Sequence, residues 1–125
     1  VEVNLMFPCK PDHPFVYWAT LSYVGELIMA GANCYTYDNG FLHAKGLSID
    51  GKACCYGTAN MDIRSFELNF EVNAMIFDQN IAGEMERIFR EDLKCCTRIT
   101  KEMYKSRSVW IRFKEQISRL LSPVL

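Results

Sequence analysis

The sequence predicts a mixed α+β fold in which a mixed β-sheet is flanked by helices. Residues 1–7 and 70–77 alternate apolar and polar side chains, as half-buried strands do. Three other segments, 13–30, 80–96 and 108–121, instead space their apolar residues at helical intervals. The resulting order, β-α-β-β-β-β-α-α, is typical of a sheet covered by helices.

Local signals define the element boundaries. Pro8 closes the first strand, Asp12 and Pro14 start the first helix, and Gly31 occupies its C-terminal cap position. Two tight-turn signals, Asn39-Gly40 and Asp50-Gly51, then divide the central region into three strands. These strands are predicted at 34–37, 41–49 and 53–56.

Length and composition indicate one folded globular domain. The 125 residues are 50% apolar and carry a formal net charge of −1, so a nucleic-acid partner is not expected. The six cysteines lack C-x-x-C spacing and are predicted to be reduced, buried, cytosolic thiols. The most apolar stretch, 15–32, contains Glu26 and two glycines, which argues against a transmembrane segment. The opening at Val1 shows no targeting peptide and suggests an excised piece of a longer protein.

One stretch of the chain carries residues suited to phosphate chemistry. Residues two apart on a strand face the same side, so His43 and Lys45 are predicted to project together. A neutral imidazole could attack phosphorus while the lysine ammonium neutralises its oxygens. Gly57 would let a backbone N–H approach closely, and Thr58 and Asn60 would add short donors. Together these residues could hold a phosphodiester.

Each part of this pattern has an ordinary explanation when taken alone. An H-x-K pair is commonly a solvated strand face, Asp50-Gly51 a hairpin turn and Gly-Thr-x-Asn a loop. Jointly, however, six positions stand at fixed spacing, which would arise by chance on the order of once in a hundred thousand such chains. The full pattern is His43-x-Lys45-x4-Asp50-x6-Gly57-Thr58-x-Asn60.

This pattern resembles the H-K-D signature of the phospholipase D superfamily, with Thr58 in place of the more usual serine. The segments 10–15, 41–44, 57–65, 68–72 and 120–123 narrow the resemblance to the second motif of bacterial cardiolipin synthases. The resemblance covers nearly the whole chain. It implies that residues 1–125 form a C-terminal, phospholipase D-like catalytic half-domain.

The resemblance also implies a role for each site residue. His43 would form a covalent phosphohistidine, Lys45 and Asn60 would hold phosphate oxygens, and Glu71 would orient the histidine ring, whereas Asp50 is usually structural. Strand geometry agrees with the Glu71 assignment, because a carboxylate that accepts the Nδ1 proton leaves Nε2 able to attack. The alternative is that Glu71 only faces solvent. The implied phosphate-binding set is Lys45, Gly57, Thr58 and Asn60.

The implied reaction is phosphatidyl transfer between two phosphatidylglycerol molecules, giving cardiolipin and glycerol without a metal or cofactor. The implied partners are phosphatidylglycerol, an N-terminal half that holds the first motif, and an anionic membrane surface. The whole protein would sit at the cytoplasmic face of the cell membrane, whereas this piece would be soluble and could pair as a homodimer. One rival function is hydrolysis of lipid or nucleic-acid phosphodiesters. Another is an inactive structural or partner-binding half.

Three features lie outside this assignment. His13 lacks a lysine two residues on, which favours a structural or substrate-rim role over a catalytic one. Arg64 could pair with phosphate or with Asp62. The last helix combines an apolar stripe with basic residues, and packing against its own domain is favoured over lying on an anionic membrane. The stripe contains Trp110, Phe113, Ile117, Leu120 and Leu121, and the basic residues are Lys105, Arg107, Arg112, Lys114 and Arg119.

Overall fold

The computed structural model describes residues 1–10 and 14–121, and the predicted mixed α+β class is confirmed within them. The elements in chain order are β1 Asn4–Pro8, α1 Pro14–Met29, β2 Asn33–Tyr37, β3 Gly46–Ile49, β4 Ala53–Gly57, α2 Ile63–Glu67, β5 Asn73–Ile76, α3 Gln79–Leu93, β6 Cys96–Ile99, α4 Lys101–Lys105 and α5 Val109–Leu121. The strands form two three-stranded sheets rather than the single sheet predicted. The chain accordingly divides into two compact units, one made of residues up to Leu42 and from Cys95 onward, the other of His43–Lys94.

The first unit is built on a mixed sheet of order β1-β2-β6. Strands β1 and β2 are parallel and are joined through α1, whereas β6 runs antiparallel to β2. The core of this unit is Val24, Ile28 and Cys34, with partly buried apolar side chains packed around them. Helix α1 ends before Gly31, which has a φ of 98° and therefore takes the predicted left-handed cap position.

The second unit is an antiparallel sheet of order β3-β4-β5 that packs against α3. The hairpin between β3 and β4 turns at Asp50 and Gly51, whose φ values are 52° and 60°, and the Lys52 N–H donates to the Ile49 carbonyl. This is the predicted tight turn, in which both central residues have positive φ. Cys54 on β4 is fully buried. Helix α3 begins after Asp78, whose carboxylate accepts two backbone N–H groups of the first turn.

Several predicted boundaries are wrong. The strand predicted at 41–49 begins only at Gly46, and the strand predicted at 70–77 is confined to Asn73–Ile76. Phe70 is fully exposed, so the alternation before Asn73 has no buried side to face. Elements β6, α2 and α4 were not predicted, because four or five residues are too few for a period to show in the sequence.

The cysteines differ from expectation in their burial. All six are free thiols, but only Cys34 and Cys54 are buried, and Cys95 is exposed. Burial raises the pKa of the Cys34 thiol. Among the helices of the described residues, none is both long and apolar enough to cross a bilayer.

Two helical glycines form a matched pair for testing the packing of the first unit. A Cβ at Gly25 would lie 2.1 Å from the Tyr104 ring, whereas a Cβ at Gly83 on α3 would meet nothing within 4 Å. Gly25→Ala is therefore expected to lower the free energy of unfolding by about 1–3 kcal/mol. Gly83→Ala should raise it by about 0.5–1 kcal/mol, since alanine is the better helix former. Urea denaturation of both variants measures the difference, and equal effects would contradict the close approach of Tyr104.

Candidate active site

His43 and Lys45 lie in the irregular segment before β3 rather than on a strand. His43 is exposed and Lys45 is half-buried. Their side chains nevertheless meet, because Lys45 Nζ lies 3.0 Å from His43 Nε2 and also donates to the His43 carbonyl oxygen at 3.0 Å. The predicted pairing of the two side chains is therefore present, although its cause is this local folding back and not strand alternation.

The contact between the two side chains defines the state of the imidazole. A lysine ammonium has three donors and no acceptor, so Nε2 of His43 must present its lone pair to Lys45. In a neutral ring the proton then resides on Nδ1. This tautomer has its nucleophilic lone pair on Nε2, beside a positive charge.

Gly57 is required at its position for a steric reason. A Cβ there would lie 2.2 Å from the Val72 carbonyl oxygen and 2.2 Å from Asn73 Oδ1. Its N–H donates to the Lys45 carbonyl at 3.3 Å. This bond holds the backbone of Lys45, and the phosphate-binding role predicted for Gly57 stays a prediction.

Thr58 connects β4 to the segment before β5. Its N–H donates to the Val72 carbonyl at 3.0 Å, and its Oγ1 accepts the Val72 N–H at 2.9 Å. The Thr58 hydroxyl donates to Glu71 Oε2 at 2.5 Å. In this arrangement the hydroxyl holds the Glu71 carboxylate, and the phosphate-binding role predicted for Thr58 stays a prediction.

Glu71 precedes β5 and is half-buried. Its Oε1 accepts a hydrogen bond from Asn69 Nδ2 at 3.3 Å. The pKa of this carboxyl lies below its ordinary value of 4.5, mainly because Thr58 donates to it; partial burial opposes this effect, and Ser65, Asn69 and the charge of Lys45 reinforce it. Glu71 is therefore ionised and is electrostatically coupled to Lys45. The predicted action of Glu71 on the His43 ring stays a prediction.

Asn60 lies in an exposed loop between β4 and α2. Its N–H donates to Ser65 Oγ at 3.2 Å, and the Ser65 N–H donates to Asp62 Oδ1 at 2.7 Å. Ser65 itself is buried. This short chain of hydrogen bonds fixes the backbone at Asn60 and leaves its side-chain amide at the surface.

Three of the predicted residues interact with Lys45. The His43 ring contacts the Lys45 ammonium, the Gly57 N–H donates to the Lys45 carbonyl, and the charge of Lys45 helps to lower the pKa of Glu71. Asp50 instead lies in the hairpin turn, where its positive φ is a structural feature. Sequence reasoning did not single out Ser65 and Asn69 as neighbours of the carboxylate, and only their nearness to Glu71 in the chain could have suggested them. His13 lies outside the described residues, and Arg64 lies within α2.

The Thr58 hydroxyl can be tested by its effect on Glu71. Thr58→Val removes the donor that lowers the Glu71 pKa most, so this pKa should rise toward 4.5, whereas Thr58→Ser should leave it low. Because the folded-state pKa is depressed, its contribution to stability is complete above the unfolded value and is lost as pH falls through the folded value. NMR titration of the Glu71 side-chain carbon measures the shift. An unchanged pKa in Thr58→Val would contradict the assignment.

Comparison with known proteins identifies the class to which this fold and motif belong. The family described as "Cardiolipin synthase, PLD-like domain" matches residues 1–93. The chain therefore belongs to the phospholipase D-like domain family of cardiolipin synthase.

Particular relatives match over the whole of this chain. It is 57% identical over 125 residues to "Major cardiolipin synthase ClsA" of Bacillus subtilis, 56% to "Cardiolipin synthase" of Oceanobacillus iheyensis and 57% to "Cardiolipin synthase" of Staphylococcus aureus. These matches cover 100% of this chain but only 26%, 26% and 25% of the respective relatives. The chain thus spans about a quarter of the length of the curated relatives that it matches.

Proposed function

We propose that this chain supplies one H-x-K motif to a phosphatidyl transferase of the cardiolipin synthase type. The observation that carries the proposal is the 3.0 Å contact between Lys45 Nζ and His43 Nε2. This contact places a cation beside the nucleophilic lone pair of the imidazole, where the phosphodiester would be attacked. The similarity to cardiolipin synthases over all 125 residues supports phosphatidylglycerol as the substrate.

In the proposed first step, His43 Nε2 attacks the phosphorus of phosphatidylglycerol. A P–N bond forms, the P–O bond to the headgroup glycerol breaks, and an acid on the far side of phosphorus protonates the departing oxygen. Lys45 would then exchange its contact with Nε2 for one with a phosphate oxygen. This exchange exposes the lone pair and neutralises the charge that grows on the phosphate.

In the proposed second step, a glycerol hydroxyl of another phosphatidylglycerol attacks the phosphohistidine. The new P–O bond completes cardiolipin, the P–N bond breaks, and the hydroxyl proton passes to the acid–base group that served the first step. Glu71 would stabilise the positively charged ring of the intermediate. Asn60, whose amide lies at the surface, would hold a phosphate oxygen through both steps.

Hydrolysis is the second candidate because His43 is exposed. Water that reaches the phosphohistidine would take the place of the acceptor hydroxyl and release phosphatidic acid. The two functions share the first step and differ only in the second nucleophile, so their products distinguish them.

The test uses the whole protein that contains this chain, reconstituted in vesicles of phosphatidylglycerol. The proposal predicts cardiolipin and free glycerol in equal amounts. Phosphatidic acid with glycerol would establish hydrolysis instead. Release of neither product in the presence of an intact motif would contradict both functions and favour a structural role.

The sequence-based placement of this chain in the C-terminal half also stays a prediction. Sequencing the flanking coding region tests it. A second H-x-K-x4-D motif encoded upstream is the expected result. A motif encoded only downstream would place the chain in the first half of the protein.

The proposed role of Glu71 gives a graded prediction. Glu71→Gln keeps the shape of the side chain but removes the charge that would steady the imidazolium, so turnover should fall by roughly 10–1,000-fold, less than after loss of His43. Glu67→Gln, an exposed change at the end of α2, is the matched control. The pH–rate profile should flatten on its acid side. Unchanged turnover across pH would show that Glu71 has no part in the reaction.

A further inference from the structure

Helix α5 packs with its polar side inward. Its buried residues are Glu115 and Ser118, which are 2% and 0% exposed, whereas the apolar stripe defined from the sequence faces outward. Trp110 is 74% exposed, Phe113 56% and Leu120 82%. The expectation that this stripe packs against its own domain is therefore wrong, although the helix itself does pack against α1.

Polar and cation–π contacts hold α5 in this orientation. Glu115 forms an ion pair with Arg107, and Arg119 pairs with Glu26 of α1 at 2.5 Å. Two cations of α5 lie over aromatic rings of α1, since Lys114 Nζ is 5.0 Å from the Trp18 ring centre and the Arg119 guanidinium is 4.4 Å from that of Tyr23. Burial raises the pKa of Glu115, and the charge of Arg107 opposes this rise. Turning the apolar stripe inward would break all of these contacts.

The outward surface of α5 combines apolar and basic side chains. On a helical projection the apolar residues occupy one continuous arc, with Lys114 beside one edge and Arg112 beyond the other. Glu115 is the only acidic residue between 109 and 121, and it is buried. The exposed surface of this helix therefore carries positive charge alone. The arc contains Val109, Trp110, Phe113, Ile117, Leu120 and Leu121.

We propose that this face of α5 docks onto an anionic lipid surface. The aromatic and aliphatic side chains would enter the boundary between headgroups and acyl chains, while Arg112 would contact lipid phosphates beyond the edge of the arc. A second copy of this chain fits the face poorly, because its own cations would meet like charges with no exposed acidic residue on the helix to offset them. Charge complementarity thus selects the lipid surface.

Vesicle sedimentation tests this docking with the chain itself. The probes are vesicles of phosphatidylcholine alone and vesicles that also contain about 30% phosphatidylserine, an anionic lipid that differs from the proposed substrate. Binding should require the anionic lipid and should fall with salt. The double variant Trp110→Ser with Phe113→Ser should bind at least about tenfold more weakly. The matched control, Leu68→Ser with Phe77→Ser, removes two exposed apolar side chains of the other unit and should bind like the parent.

A second measurement reports insertion directly. The chain has two tryptophans, so Trp18→Phe leaves Trp110 as the single tryptophan, which can be excited selectively beside the tyrosines. When the chain binds phosphatidylserine vesicles, the emission maximum of Trp110 should move to shorter wavelength. Brominated acyl chains should quench this emission. Replacing Arg112 with glutamine should weaken binding about fivefold. Circular dichroism confirms that each variant is folded.

Three results would overturn the proposal. The first is equal binding of the α5 variant and its control. The second is failure of the folded chain to bind anionic vesicles at all, which would leave the face to another part of the whole protein. The third is a dimer in solution that the α5 variant dissociates, which would assign the face to a second copy.

Discussion

Replacing His43 with alanine is expected to abolish phosphatidyl transfer by the whole protein. Loss of a covalent nucleophile typically lowers turnover by about three orders of magnitude or more. The fold should remain intact, because His43 is exposed and truncating its side chain creates no buried cavity. Cardiolipin production per enzyme molecule, measured beside the thermal unfolding curve, separates the chemical effect from a structural one.

Lys52→Ala supplies a matched control for this variant. Lys52 is an exposed residue of the hairpin turn in the same unit, and its replacement should change neither turnover nor unfolding. A phosphohistidine trapped on the parent by acid quenching should be missing from His43→Ala. The assignment fails if His43→Ala retains more than about a tenth of parental turnover.

The 125-residue chain alone, as a monomer, is expected to have no transferase activity. The proposed chemistry needs a nucleophile on one side of phosphorus and a proton donor on the other, and this chain contains one H-x-K motif. A second motif must come from elsewhere in the whole protein or from a second copy across a two-fold axis. A strictly monomeric sample should therefore show no transferase activity.

Phosphodiesterase activity measured together with solution mass tests this requirement. If two copies restore the site, specific activity will rise with protein concentration in parallel with dimer formation. Adding the separately produced remainder of the protein should restore turnover at low concentration. Robust turnover by a chain that stays monomeric would disprove the need for two motifs.

The features of the fold that could be predicted from the sequence are those set by neighbouring residues. The cap at Gly31 and the turn at Asp50 and Gly51 depend on backbone conformations that few other residues adopt, and both are present. The period of α3 was also visible, because its fifteen residues cover several turns. The ends of the strands and the division into two sheets could not be predicted, because they depend on which distant segments pair.

The candidate site shows the same division between local and distant information. The pairing of His43 with Lys45 is local in sequence and was predicted. The hydrogen bond from Thr58 to Glu71 spans thirteen residues, and the clash that requires Gly57 involves Val72 and Asn73. No spacing rule relates such positions. The contacts that Gly57 and Thr58 make within the chain were therefore not predicted from the sequence.

Helix α5 illustrates a different limit of prediction from the sequence, which is the direction that an amphipathic helix faces. Its pattern correctly predicted an apolar stripe with cations around it, yet the period of a pattern does not state which side faces the core. That choice depends on α1, which offers Glu26 and two aromatic rings to the cations of α5. The usual preference for apolar burial was overridden by these specific partners.

The double hydrogen bond between Thr58 and Val72 closes the intervening residues into a loop whose two ends are held together. Closure of such a loop depends only weakly on its length, since each doubling costs about 0.6 kcal/mol. Because buried Ser65 within this loop also lies near Glu71, the residues of the loop that can vary most freely are the exposed ones. Sequence changes at exposed positions such as Phe66 and Leu68 can therefore accumulate without displacing the carboxylate at the base of the loop.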